Sequence, residues 1–179
     1  MKNEFDLPEA IAVLARTPAT LDALLRGLPD VWVRSNQGKD TWNAAEIVRH
    51  LIAGERTGWM PRLRIILEHG EARAFDPFGS LKDIPETSIE QLLDDFSRVR
   101  RENIAALQAL NLQERDLNRR GKHPDLGVVT SAQLLATWMV HDLTHLHQLS
   151  RTMAHQYRDA VGPWSAYLGV LQCAGHGSR

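Results

Sequence analysis

The stretch Met139-Val140-His141-Asp142-Leu143-Thr144-His145-Leu146-His147-Gln148-Leu149 carries three histidines, two of them four residues apart. In a helix, at about 100° per residue, His141 and His145 lie about 40° apart on one face, one turn from each other. Two imidazoles so placed can hold one metal ion together. The same face carries Leu134, Trp138, Gln148 and Leu149, so it is the face a helical bundle would bury. The pair is either a metal site inside a bundle or an unusually polar piece of core.

A catalytic zinc-type site needs about three protein ligands and an open position for water or substrate. The third ligand must come from another helix. His50 is the one further histidine on an expected core face near a helix middle. Glu46, Ile47, Gly54, Thr57 and Gly58 share its face, and two glycines and a threonine leave room beside the imidazole. His155 shares an angular face with His141, but a rise of about 1.5 Å per residue puts it about 15 Å beyond His145. His147 points away, and His69, His123 and His176 fall at ends or in loops. Spacing therefore selects His50, His141 and His145 as the metal triplet, with the contact between helices inferred. A single histidine on a helix face is more often a hydrogen-bonded core residue; the inward pair, with His50 beside small residues, shifts the balance towards a metal.

Three further residues could orient the ligands from behind: Glu46, one turn before His50, Asp142, and Gln148, one turn past His145. Glu46 and Asp142 read equally well as solvated helix charges, and Gln148 as a cap on a core polar group. His141-Asp142-x-x-His145 resembles the H-E-x-x-H zinc proteases only loosely. Aspartate is one methylene shorter than their general base, and the third histidine of the extended motif would fall at Arg151. There is no Ser-His-Asp arrangement, glycine-rich phosphate loop or Cys-x-x-C pair. Arg98, Arg100 and Arg101 read as a solvated helix face, and Arg119-Arg120-Lys122 as a place where an anion could bind.

The elements that must position these residues are helical. Apolar residues recur at steps of three and four from Leu7 to Leu28, with Thr17-Pro18 read as N-cap and first helical position of a restart. Residues 30–40 read as a loop. Asn43 and Glu46 have capping-box spacing and open a helix running to His69-Gly70, with a kink expected at Pro61. Residues 71–86 make a long connection whose two phenylalanines suggest a segment packed over something. Thr87/Glu90 and Thr130/Gln133 mark two more helix starts; the loop between these helices runs from Leu112 to Val129. Gly162-Pro163 begins a short last segment, and Gly175-His176-Gly177-Ser178-Arg179 reads as frayed. No alternating strand pattern is visible. Four amphipathic helices predict an all-α bundle with a short C-terminal helix.

Composition agrees. The 179 residues, 43% hydrophobic and 24% charged, fit one domain spanning 1–179. A net charge of −1 gives no reason to expect a nucleic-acid partner. The single cysteine, Cys173, excludes an intramolecular disulfide and fits a reducing cytoplasm. No signal peptide is expected from the first residues, and no uncharged apolar run would span a bilayer.

Taken together, several segments resemble the DinB-like superfamily, the DinB/YfiT-like metalloenzymes. They are Trp42-Asn43-Ala44-Ala45-Glu46-Ile47-Val48-Arg49-His50-Leu51 with Glu55 following, the Phe75-Asp76-Pro77-Phe78-Gly79 loop, and His123-Pro124-Asp125-Leu126-Gly127-Val128-Val129-Thr130 leading into His141-Asp142-x-x-His145-x-x-Gln148. The resemblance covers nearly the whole chain. It implies a four-helix bundle with a crossover connection, often a homodimer. It also implies a divalent metal, zinc or nickel among the candidates, held by histidines that match His50, His141 and His145. Relatives include S-transferases acting on low-molecular-weight thiols, a thiol-dependent isomerase and hydrolases. The expectation is a metal-dependent transferase that activates a small thiol, with Arg119, Arg120 or Lys122 as anchors for that cosubstrate. The alternatives are a hydrolase using metal-bound water and a non-catalytic metal- or ligand-binding stress protein.

Overall fold

A computed structural model describes residues 4–173 of the chain. Four helical rods form its frame. The first is broken into α1 (Leu7–Leu14) and α2 (Thr17–Leu25). The restart falls where Thr17-Pro18 predicts it, but Thr17 is the first helical residue of α2 and not its cap. Its hydroxyl is committed elsewhere, donating to the buried Asp142 carboxylate at 2.6 Å. Gly27, at φ 74°, turns the chain after α2, and α3 (Asp30–Arg34) occupies part of the stretch expected as loop.

The second rod is α4 (Ala44–Ala53), a π-helical turn at Gly54–Gly58, and α5 (Trp59–His69). The Asn43/Glu46 capping box is present in both directions. The irregularity comes a turn before Pro61. Proline has no N–H for the carbonyl four residues back and its ring crowds it, and the wider turn ahead absorbs the mismatch. Residues 70–88 then form a strap with two short 3-10 turns. The buried Arg49 of α4 ties it down through the carbonyls of Leu81 (2.8 Å) and Ile84 (2.6 Å).

The third rod is α6 (Ile89–Ala109), capped by Ser88 and Gln91, one residue later than the Thr87/Glu90 pair the sequence suggests. Both pairs satisfy the same spacing rule; with Ser88 as cap, Ile89 is the first helical residue and is buried. After α7 (Glu114–Leu117) comes a hairpin that sequence reading missed: β1 (Arg120–His123) pairs antiparallel with β2 (Gly127–Thr130). Each strand is four residues long and half exposed, too short to display an apolar alternation. Gly121 lets the hairpin lie on α5, since a Cβ there would come within 2.5 Å of Ile66. The fourth rod is α8 (Ser131–Ala154), opened by the expected Thr130/Gln133 box. A 3-10 stretch and α9 (Gly169–Gln172) follow; the expectation for residues 175–179 lies outside the described residues.

α4 packs against both α6 and α8, α1 against α8, and α2 against α6. The first two rods are therefore diagonal neighbours, and the connection between them crosses the end of the bundle. The core has two clusters, one around Leu21, Ile47, Phe96 and Leu149, the other around Leu14, Trp59, Ile66 and Trp138. Along α8 the two histidines fall between Trp138 and Leu149, where the clusters meet. Among the described residues no helix is long and apolar enough to cross a membrane.

Candidate metal centre

α4 delivers His50 from its last turn, and successive turns of α8 deliver His141 and His145. The ligand atoms of the three lie within 4.8 Å of one another. His141 Nε2 is 3.1 Å from the Nε2 of His50 and 3.1 Å from that of His145. Nitrogens bound about 2.0–2.1 Å from a common ion at near-tetrahedral angles sit about 3.1–3.4 Å apart, so this convergence fits one divalent metal. Gln148 Oε1 lies 2.7 Å from His145 Nδ1. An amide oxygen only accepts, so the proton of His145 is held on Nδ1 and its Nε2 lone pair faces the cluster.

Protonation cannot hold the three rings together. Burial, then the neighbouring His145, pushes the His50 pKa down to about 4. Burial, then His145, His50 and Arg100, pushes His141 down to about 2. At neutral pH both are uncharged, the form that binds metal. His141 Nδ1 is buried with no hydrogen-bond partner. The uncharged rings, with their Nε2 atoms converging, fit a donor set waiting for a cation.

The walls are aromatic. Trp42 lies 4.7 Å from the His50 ring and 6.3 Å from that of His145, and Trp59 meets His141 edge-on at 5.0 Å. The room expected beside His50 is taken by Phe78 of the strap, 5.7 Å from the His50 ring. A Cβ on Gly54 would come within 2.9 Å of Phe78, and one on Gly58 within 2.5 Å. The glycines are thus a notch for the strap, which Gly79 N–H fastens to Thr57 Oγ1 at 2.8 Å. On the other side, a shallow cavity of about 370 Å³ lined by Ala136, Thr137, Val140, His141 and Thr144 opens along α8 and reaches His141 from solvent.

Of the three residues expected behind the ligands, Gln148 alone is hydrogen-bonded to one. The Glu46 carboxylate accepts from Asn43 N–H at the start of α4. Asp142 is fully buried and faces away, into a second polar cluster that sequence reading did not find. Arg100, 1% exposed, donates to both oxygens of Asp142 (2.6 and 2.9 Å), to Glu55 Oε1 (2.8 Å) and to the Leu14 carbonyl (2.9 Å). Trp138 Nε1 and Asn103 Nδ2 also donate to Glu55, at 2.8 and 2.9 Å. Arg100 is no solvated charge, unlike Arg98 and Arg101 beside it. It stands on the apolar stripe, four residues after Phe96 and three before Asn103, and that register was the available signal. Arg119, Arg120 and Lys122 are exposed on or beside the hairpin, with Arg120 paired to Glu71 at 3.1 Å.

Fold and site define a class: a helical bundle with three inward imidazoles meeting on one point between its helices. The chain belongs to the DinB superfamily, whose family model matches residues 14–149. Among solved structures it is similar to YfiT from Bacillus subtilis, described as a probable metal-dependent hydrolase with an unusual four-helix bundle topology. The two share 20% identity and a TM-score of 0.70 over 84% of this chain and 91% of YfiT. That likeness speaks for the fold. No curated protein matches the sequence.

Proposed function

We propose that His50, His141 and His145 bind one divalent metal, and that the protein is a metal-dependent transferase activating a low-molecular-weight thiol. The observation that carries the metal is the meeting of three Nε2 atoms, one of them aimed by Gln148. A divalent ion held there supplies Lewis acidity and lowers the pKa of a thiol or water that takes an open position.

The choice of thiol over water rests on the company the histidines keep. Water attack is commonly assisted by a carboxylate base beside the metal, and the three-histidine cluster contains no carboxylate. Asp142 and Glu55 are locked on Arg100, and Glu46 caps a helix. A thiol is a strong nucleophile once deprotonated and needs no such base. Trp42, Trp59 and Phe78 give the site apolar walls on the sides away from the cavity that reaches His141. The second reading, hydrolysis by metal-bound water, is favoured by the description of YfiT and by the fold the two share. All three histidines come from one chain, so these ligands need no partner subunit.

Elemental analysis of the purified protein and of His145→Ala tests the metal. About one divalent ion per chain is expected, lost in the variant; unchanged stoichiometry in the variant overturns the assignment. Turnover of electrophiles with and without added thiol then separates transfer from hydrolysis, because a hydrolase works without one.

A further inference from the structure

Three arginines in the described residues are at most 9% exposed: Arg49, Arg62 and Arg100. Two of them meet carboxylates, although Arg100, like Arg62, has a buried Nε without a partner. Arg49 meets the carbonyls of Leu81 and Ile84 and the Glu86 carboxylate, and Arg100 meets two carboxylates and a carbonyl. Arg62 of α5 differs. Its guanidinium makes one long hydrogen bond, from Nη2 to the Asp76 carbonyl at 3.3 Å. Its Nε is buried with no partner, and its Nη1 has no partner in the protein either, while remaining open to solvent. The nearest acidic charge, Asp76, is hydrogen-bonded to Arg73 at 2.9 Å.

Withdrawing a guanidinium from water with no carboxylate hydrogen-bonded to it costs free energy, which the Asp76 charge offsets only in part. This one is also held rigid. It lies over the rings of Phe75 and Phe78, 5.4 and 5.1 Å from their centroids, which fixes the plane of its donor fork. Its solvent-facing Nη1, a fixed donor without a partner, is suited to an incoming carboxylate. Its place matters as much as its state. The Phe78 ring that carries Arg62 is the ring beside His50, at 5.7 Å, and His141, at 6.3 Å. A ligand laid along Phe78 would have one end at the histidines and the other at the guanidinium. The exposed cations of the hairpin have no such link to the site.

We propose that Arg62 anchors a carboxylate of the substrate whose other end reacts at the three-histidine site, making it a residue that selects acidic thiols. The proposal rests on the metal-dependent reading above.

The test uses zinc-loaded protein and two series of probes, ω-mercaptocarboxylates and ω-mercaptoalcohols of three to six carbons, with affinities measured by calorimetry. At the chain length that spans Phe78, the carboxylate should bind about tenfold or more tighter than the alcohol. Arg62→Gln should abolish that preference and leave alcohol binding unchanged, while Arg62→Lys keeps part of it; circular dichroism and melting confirm that the variants fold. Equal binding of the two series at every length, or a preference that survives in Arg62→Gln, overturns the anchor and leaves the metal reading standing. If zinc does not bind at all, the metal reading fails by itself. Hexanoate against hexanol on metal-free protein then decides the anchor: thermal stabilisation by hexanoate alone, lost in Arg62→Gln, supports it, and no difference overturns it.

Discussion

Two polar clusters lie inside this bundle, and consecutive residues of α8 belong to different ones. His141 turns into the three-histidine cluster; Asp142 turns into the cluster of Arg100 and Glu55. In the second, charge opposes charge and the carboxylates are met by arginine, tryptophan, asparagine and threonine donors. In the first, ring nitrogens face one another at 3.1 Å and no charged group stands between them. A buried network in which charges and carboxylates meet one another ties helices together. An unsaturated one of matching geometry is built for something that arrives from outside. The difference separates structure from function here better than burial does, since both clusters are largely withdrawn from water.

The strongest way to break the contrast is Arg100→Leu. Glu55 and Asp142 would be left buried and unpaired, and loss of one partner of such a network costs about 3–5 kcal/mol. Urea unfolding should show a destabilisation of that size, or no folded protein. A change below about 1 kcal/mol would mean that the clasp is not what joins the rods.

On the other side of α8, Gln148→Ala sharpens the contrast. It frees the His145 tautomer without removing a ligand, and loss of such a partner lowers metal affinity about 10–100-fold. Competition with a chelator of known strength reads the change, and metal-free stability should move far less than in the arginine variant. Undiminished affinity would show that Gln148 only fills space.

Acid probes the histidine cluster without any substitution. The pKa values of His50 and His141 are lowered on folding, so the unfolded chain binds more protons than the folded one below about pH 6.5. Stability of the metal-free protein is therefore fully present above that pH. It falls as the pH drops towards 4, by at most about 1.4 kcal/mol per pH unit for each histidine. Unfolding titrations of the metal-free chain between pH 7 and 4 should show this slope, flattened in a His50→Leu/His141→Leu double variant. An equal slope in that variant would assign the acid sensitivity to other groups.

The sequence by itself determined the four rods, two of the capping boxes and the triplet of histidines. These depend on spacing within one helix, where about 100° per residue fixes which side chains share a face. His141, His145 and Gln148 were legible for that reason. His50 was legible as the one further histidine on a core face near a helix middle, though the room its glycines promised proved to be filled by Phe78. Arg100 was misread as a surface charge, and the hairpin was missed, because their places are set by partners distant in the chain. Arg100 is buried because Glu55, Asp142 and Leu14 converge on it from three other segments. The tertiary structure alone decided that Asp142 serves the clasp and not the histidines, and that Arg62 keeps a free face. Whether a buried polar group is satisfied depends on which atoms other elements bring to within about 3 Å, and spacing along one helix carries no record of that.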